Sequence, residues 1–130
     1  MYYKTKENVN PQGKQRVYFT CHPDDFQKHF ESISKEILSI FDCAIWYTEE
    51  EYSDFATELG QMALFVTPVT KKLLTEKCRT IDIDIPFAKK NHIPILPLMQ
   101  ESGLDGLYEE RFGDLQYLEK NTRDNTALLW

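Results

Sequence analysis

A chain of 130 residues, 42% of them hydrophobic, suffices for one domain with a single core and is too apolar to remain disordered. Its formal charge of −6 argues against nucleic acid as the main partner, since phosphate binding requires a basic face. No apolar run is long enough to span a membrane, and residues 1–15 contain no hydrophobic segment of signal-peptide type.

Residues 1–15 are polar, hold Pro11 and Gly13, and read as a flexible leader before a single domain over 16–130. Arg16 to Thr20 (RVYFT) is β-rich and forms the first expected strand. Asp24 with Gln27 three residues on resembles a capping box, and Phe26, Phe30, Ile33, Ile37 and Phe41 then make one stripe of an amphipathic helix. Asp42 to Tyr47 (DCAIWY) is the second strand. Thr48 and Glu51 form another capping-box pattern ahead of a short acidic helix carrying Tyr52, Phe55, Ala56 and Leu59, closed by Gly60. Met62 to Thr67 is the third strand, stopped by Pro68.

Thr70 is placed to cap a short helix carrying Leu73 and Leu74. A further helix falls within 80–91. Pro86 is tolerated only near a first turn, so that helix should begin around Asp82 to Asp84. His92 to Met99 is an apolar run bounded by Asn91 and Gln100, as expected of a strand buried on both faces. Leu104, Leu107 and Tyr108 mark a helix weakened by Gly103 and Gly106. Leu115 to Leu118 is a short fifth strand, and Thr126 to Trp130 reads as the start of a last helix cut short.

Alternating strands and helices point to an α/β fold: a five-stranded parallel sheet with helices on both faces, right-handed crossovers and the common order 2-1-3-4-5. In such a sheet ligands bind outside the carboxyl ends of the first and third strands. That rule selects Thr20, Cys21 and His22 at one end and Thr67 at the other. Trp46 and Tyr47 end the second strand, and Asp82 and Asp84 follow in the crossover after the third. A plain loop edge would also be polar. There is no G-x-G-x-x-G and no P-loop pattern, so neither a Rossmann-type dinucleotide site nor a P-loop is present. A phospho-accepting receiver would need aspartate where Thr67 stands.

Cys21, Cys43 and Cys78 fall in no C-x-x-C arrangement, and with the scattered His22, His29 and His92 they give no metal-binding spacing. Three thiols without a pairing pattern fit a reducing, cytoplasmic compartment.

VYFTCHPDD (Val17 to Asp25) resembles the first box of TIR (Toll/interleukin-receptor) domains, roughly V-F-I-S-Y-S-x-x-D. LFVTPVTKKLL (Leu64 to Leu74) resembles the strand leading to their S-x-x-Y-L stretch. IDIPFAKKNHIPILPLM (Ile83 to Met99) resembles their E-L-x-x-A-x-x-x-x-I-P-[VI]-[IL]-P segment. The likeness spans about residues 16 to 118 and is nearest to bacterial TIR proteins. It implies a flavodoxin-like TIR fold, TIR–TIR self-association, and cleavage of NAD+ or a related nucleotide as substrate, with no separate cofactor or metal and with a role in antiphage signalling. Counting back from Ala88 puts the family's catalytic glutamate at Asp84, an aspartate here. The usual upstream Trp-Cys pair is replaced by Thr80-Ile81, and a register anchored on Cys78 would instead put Ile81 at the acid position.

One carboxylate is chemically sufficient for that cleavage. Nicotinamide leaves as a neutral molecule and needs no general acid, and the oxocarbenium-like transition state needs only a negative charge beside the ribose. Ile83, Ile85 and Phe87 around Asp84 favour desolvation. Asp84 is equally placed to cap the helix that begins near Pro86. Asp82 is the second candidate acid, but residues two apart do not share a helix face. Trp46 and Tyr47 offer rings for stacking, or core. His22 and Lys71 offer phosphate contacts, or are an ordinary loop histidine and a solvated lysine. Cys21 reads as structural.

Overall fold

The computed structural model describes residues 1–50 and 53–119, which fold around a six-stranded mixed sheet. In chain order the strands are β1 (Tyr2–Lys4), β2 (Gln15–Phe19), β3 (Cys43–Tyr47), β4 (Leu64–Val69), β5 (Ile95–Met99) and β6 (Leu118–Glu119). Across the sheet they run β1-β3-β2-β4-β5-β6. β1 is antiparallel to β3, and every other pairing is parallel.

Strand count and order therefore differ from the five-stranded expectation, because the supposed leader supplies an edge strand. Tyr2 pairs with Tyr47 and Tyr3 with Trp46, with ring centroids 5.6 and 5.2 Å apart. Such cross-strand aromatic pairs stabilise a ladder that three residues alone would not hold. Lys4 then reaches Glu31 and Ser34 on the first helix, and the buried Thr5 hydroxyl donates to Val9 O.

The helices are α1 (Phe26–Ile40), α2 (Ala56–Leu59), α3 (Lys71–Thr75), α4 (Ile85–Lys90) and α5 (Asp105–Phe112). Strand alternation sorts the core onto two faces. Phe30, Ile33, Ile37 and Leu38 of α1 pack against Val17, Phe19, Ile45 and Val66. On the other face Tyr18 and Phe65 meet Leu59 and Ala88, while Val69 and Met99 meet Leu73, Ile85, Tyr108 and Phe112. Phe41 belongs to neither: it lies beyond the end of α1 and is exposed. No helix among the described residues is long and apolar enough to cross a membrane.

Several local expectations are corrected. Asp24 and Gln27 form no capping box. α1 starts at Phe26, and the turn before it is capped by His22, whose Nδ1 accepts from Asp24 N at 3.0 Å. Among the described residues Thr48 caps only a turn, accepting from Glu50 N at 3.0 Å. Glu51, Tyr52 and the last expected helix at 126–130 lie outside the described residues. The Thr70 cap is made, on Leu73 N. Pro68 does not stop β4 but pairs with Leu98 inside it. Phe65 N bonds toward β5, so by alternation the missing N–H of Pro68 faces β2, whose ladder ends at Val66.

If the edge strand carries weight, Tyr2→Ser with Tyr3→Ser should lower stability by about 1–2 kcal/mol. Urea unfolding measures it; an unchanged midpoint would show that β1 packs without contributing.

Candidate functional site

Pro86 sets the local geometry. Its ring crowds the carbonyl four residues back and it supplies no N–H, so an ordinary helix cannot run through Asp82 to Pro86 unchanged. The chain widens into a π turn over Thr80–Asp84, in which Ile85 N donates to Thr80 O, five residues back. In an α-helix residues five apart are rotated by roughly 140°. The wider turn brings them together instead, and Arg79 Nε meets Asp84 Oδ1 at 3.1 Å.

Asp84 is wholly buried. Its Oδ2 accepts from Thr20 Oγ1 at 2.6 Å and from Tyr18 Oη at 3.0 Å, both on the β2 side. Thr20 Oγ1 also lies 2.7 Å from Thr80 Oγ1. A hydroxyl has one proton, so with Thr20 donating to the carboxylate, Thr80 donates to Thr20. Arg79 continues outward: its Nη1 donates to Ser53 O at 2.6 Å, and its guanidinium lies 5.5 Å from the centre of the Phe55 ring. Asp84 stands at the N-cap position of α4 but makes no capping bond. Its carboxylate is spent on the network, which decides against the cap.

Burial pushes the Asp84 carboxyl above the usual carboxylate range, against the downward pull of Thr20, Arg79 and Tyr18. Burial is the largest influence on Arg79 and works against its charge, but the Asp84 carboxylate and Tyr18 together outweigh it and leave that pKa raised. Tyr18 is raised by burial first and by the Asp84 charge second, so its phenol stays protonated and donates.

Beside this network, at the carboxyl ends of β2 and β3, opens a cleft of about 270 Å³. Tyr18 and Thr20 belong to its wall, with Cys21, Gln27, Thr48 and Glu49. Tyr18 and Thr20 thus take part both in the cleft wall and in the Asp84 network. Of the residues expected from sequence, Thr20 and Asp84 meet directly, and Cys21 lines the cleft. Asp82 is exposed, two positions along the turn from the buried Asp84. Trp46 is held between Tyr3 and Arg16, and Tyr47 packs on Phe26 and Phe30; neither lines the cleft. Thr67 is buried in β4 with no hydrogen-bond partner for its hydroxyl among the described residues. Lys71 is exposed at the start of α3, where its N–H donates to Glu101.

His22 lies in a second polar group. Its Nε2 is 2.8 Å from Glu76 Oε1, Asp24 is held by Lys72 at 2.8 Å, and the ligand atoms of His22, Asp24 and Glu76 lie within 4.8 Å of one another. Nδ1 already accepts from Asp24 N, so the ring proton sits on Nε2 and is given to Glu76. A metal at Nε2 would leave that ring without a proton, so the trio does not fit a cation site. Nearby the buried Asp25 accepts from Thr70 Oγ1, joining the loop after β2 to the start of α3.

Tyr18, Arg79, Thr80 and Phe55 were not among the expected site residues. Tyr18 was findable: it lies two residues before Thr20 on one strand and therefore on the same face. Arg79 was not, because its pairing depends on the π turn.

No family model matches the chain, and no curated protein does. Among solved structures it is similar to a crystal structure from Burkholderia pseudomallei described as pilus assembly-related, with a TM-score of 0.55 and 10% identity. That match covers 93% of this chain and 88% of the other. Likeness at this identity shows the fold alone, here a mixed α/β fold.

A raised folded-state pKa means that the native chain holds the Asp84 proton more tightly than the unfolded chain does. This contribution is complete below the ordinary carboxylate pKa of about 3.9 and is lost as pH rises through the folded value. The stability of wild type relative to Asp84→Asn, from urea unfolding at several pH values, should therefore fall as pH rises above the ordinary carboxylate range. A rise instead would mean that Arg79 outweighs desolvation.

Proposed function

We propose that the chain is a TIR-type NAD+ nucleosidase, cleaving the nicotinamide–ribose bond by hydrolysis or cyclisation, with Asp84 as the carboxylate that stabilises the ribosyl cation. The observation that carries this reading is the placement of Asp84: a desolvated carboxylate bonded to Thr20 at the end of β2, a residue that also lines a cleft. A negative charge in such surroundings acts on a developing positive charge far more strongly than it would in water. With β1 set aside, the parallel strands run β3-β2-β4-β5-β6, an arrangement that supports reading the sheet as a flavodoxin-like TIR fold. The three sequence segments resembling TIR boxes support it independently. A cytoplasmic protein that self-associates through TIR contacts and issues a nucleotide signal in antiphage defence completes the reading.

A second reading has its own support. Every close partner of the Asp84 carboxylate is supplied by the protein, which suits a structural network in a non-catalytic TIR interaction module.

Incubation of the purified chain with NAD+, following free nicotinamide, separates the two. On the enzymatic reading Asp84→Ala lowers release by about 100-fold or more. Release that survives Asp84→Ala but disappears in Asp82→Ala would overturn the assignment. No release by wild type at high protein concentration, with crowding agents present, would favour the interaction module.

A further inference from the structure

Arg79 and Asp84 form a buried ion pair. The guanidinium is almost fully buried, bound at once to the carboxylate and to the main chain at Ser53, and covered by the Phe55 ring. Among the described residues it is the only cation within ion-pair distance of Asp84; Tyr18 and Thr20 are neutral donors. A buried ionised carboxylate tolerates the exchange of one counter-charge for another but not the loss of its counter-charge, since removing that partner strands an uncompensated charge. A ligand that displaces Arg79 and leaves Asp84 ionised must therefore bring a positive charge of its own.

We propose that Arg79 is an internal counter-cation that keeps Asp84 closed, and that the site admits its ligand by cation exchange: a nucleoside bearing a positively charged ring replaces the guanidinium, while its neutral counterpart does not. The nucleoside rests on the reading of the preceding subsection; the exchange requires only the cation. Arg79 is on this view a positioning residue. The oxidised nicotinamide of NAD+ carries the needed charge, whereas the reduced ring of NADH has the same shape without it, so the pair isolates charge from fit.

The test is titration calorimetry of the whole chain with NAD+ and with NADH, for wild type, Arg79→Gln, and the double variant Arg79→Met with Asp84→Asn. Circular dichroism checks each fold. Wild type should bind NAD+ at least about tenfold more tightly than NADH. Arg79→Gln, with nothing to displace, should bind NAD+ at least about tenfold more tightly than wild type. Its binding should also fail at a higher pH on acidification, because the carboxylate has lost the charge that favours its ionised form. The double variant removes both charges and should bind the two dinucleotides alike. A folded Arg79→Gln that binds NAD+ no better than wild type overturns the proposal, and so does a double variant that keeps the wild-type preference. If Arg79→Gln does not fold, the double variant decides. Absence of NAD+ binding by all three proteins also overturns it. Binding with these preferences but without nicotinamide release supports the exchange and sinks the nucleosidase, so the two failures are distinguishable.

Discussion

The ion pair between Arg79 and Asp84 governs the carboxyl-end architecture of this sheet. Two opposite charges removed from water gain from their mutual attraction only if the remaining polar atoms are also satisfied. Tyr18 and Thr20 do this for one carboxylate oxygen, and the Ser53 carbonyl takes one guanidinium N–H. The network thus joins β2, the π turn and the segment after β3, none of which is adjacent to the others in sequence. Cooperative hydrogen bonding along Thr80, Thr20 and Asp84 adds to its rigidity.

A second set of contacts, of different quality, surrounds it. Lys72 with Asp24 is exposed and contributes little to stability, as surface pairs generally do. The Thr70 hydroxyl on the buried Asp25 matters more. It also caps α3, so one side chain fixes both the helix start and the loop after β2. His22 continues this tie through its ring, from the main chain of Asp24 to Glu76 beyond α3. The two loops that frame the carboxyl ends of β2 and β4 are therefore held to each other, and the cleft has one rigid wall.

The prolines show how far local rules reach. Pro68 and Pro97 both sit inside strands, where proline removes a ladder donor. Pro68 faces β2 past the end of its pairing. Pro97, by the same alternation from Pro94 O, faces β6, whose pairing begins only at Leu98. Pro86 is different: it has no harmless side, and the helix before it changes type. That change, and not any charge in the local sequence, puts Arg79 over Asp84.

Much of this was legible in the residues themselves. Hydrophobic period located α1 and the apolar runs of the central strands, since burial against a sheet imposes spacings of 3.6 and 2 whatever the neighbours are. That Thr20 shares one sheet edge with the acids of the crossover after β4 followed from the order of elements, because ligand crevices form where strand order reverses, whereas the choice of Asp84 over Asp82 came from the resemblance. The short β1 was not legible: three residues carry no period, and their stability comes from Trp46 and Tyr47, more than forty positions away. Nor was the partner of Asp84. Sequence determines which residues carry charge and which prefer the interior; only the folded chain decides whose charge faces whose, because that depends on a helix widened by one proline and on strands that meet across long stretches of sequence.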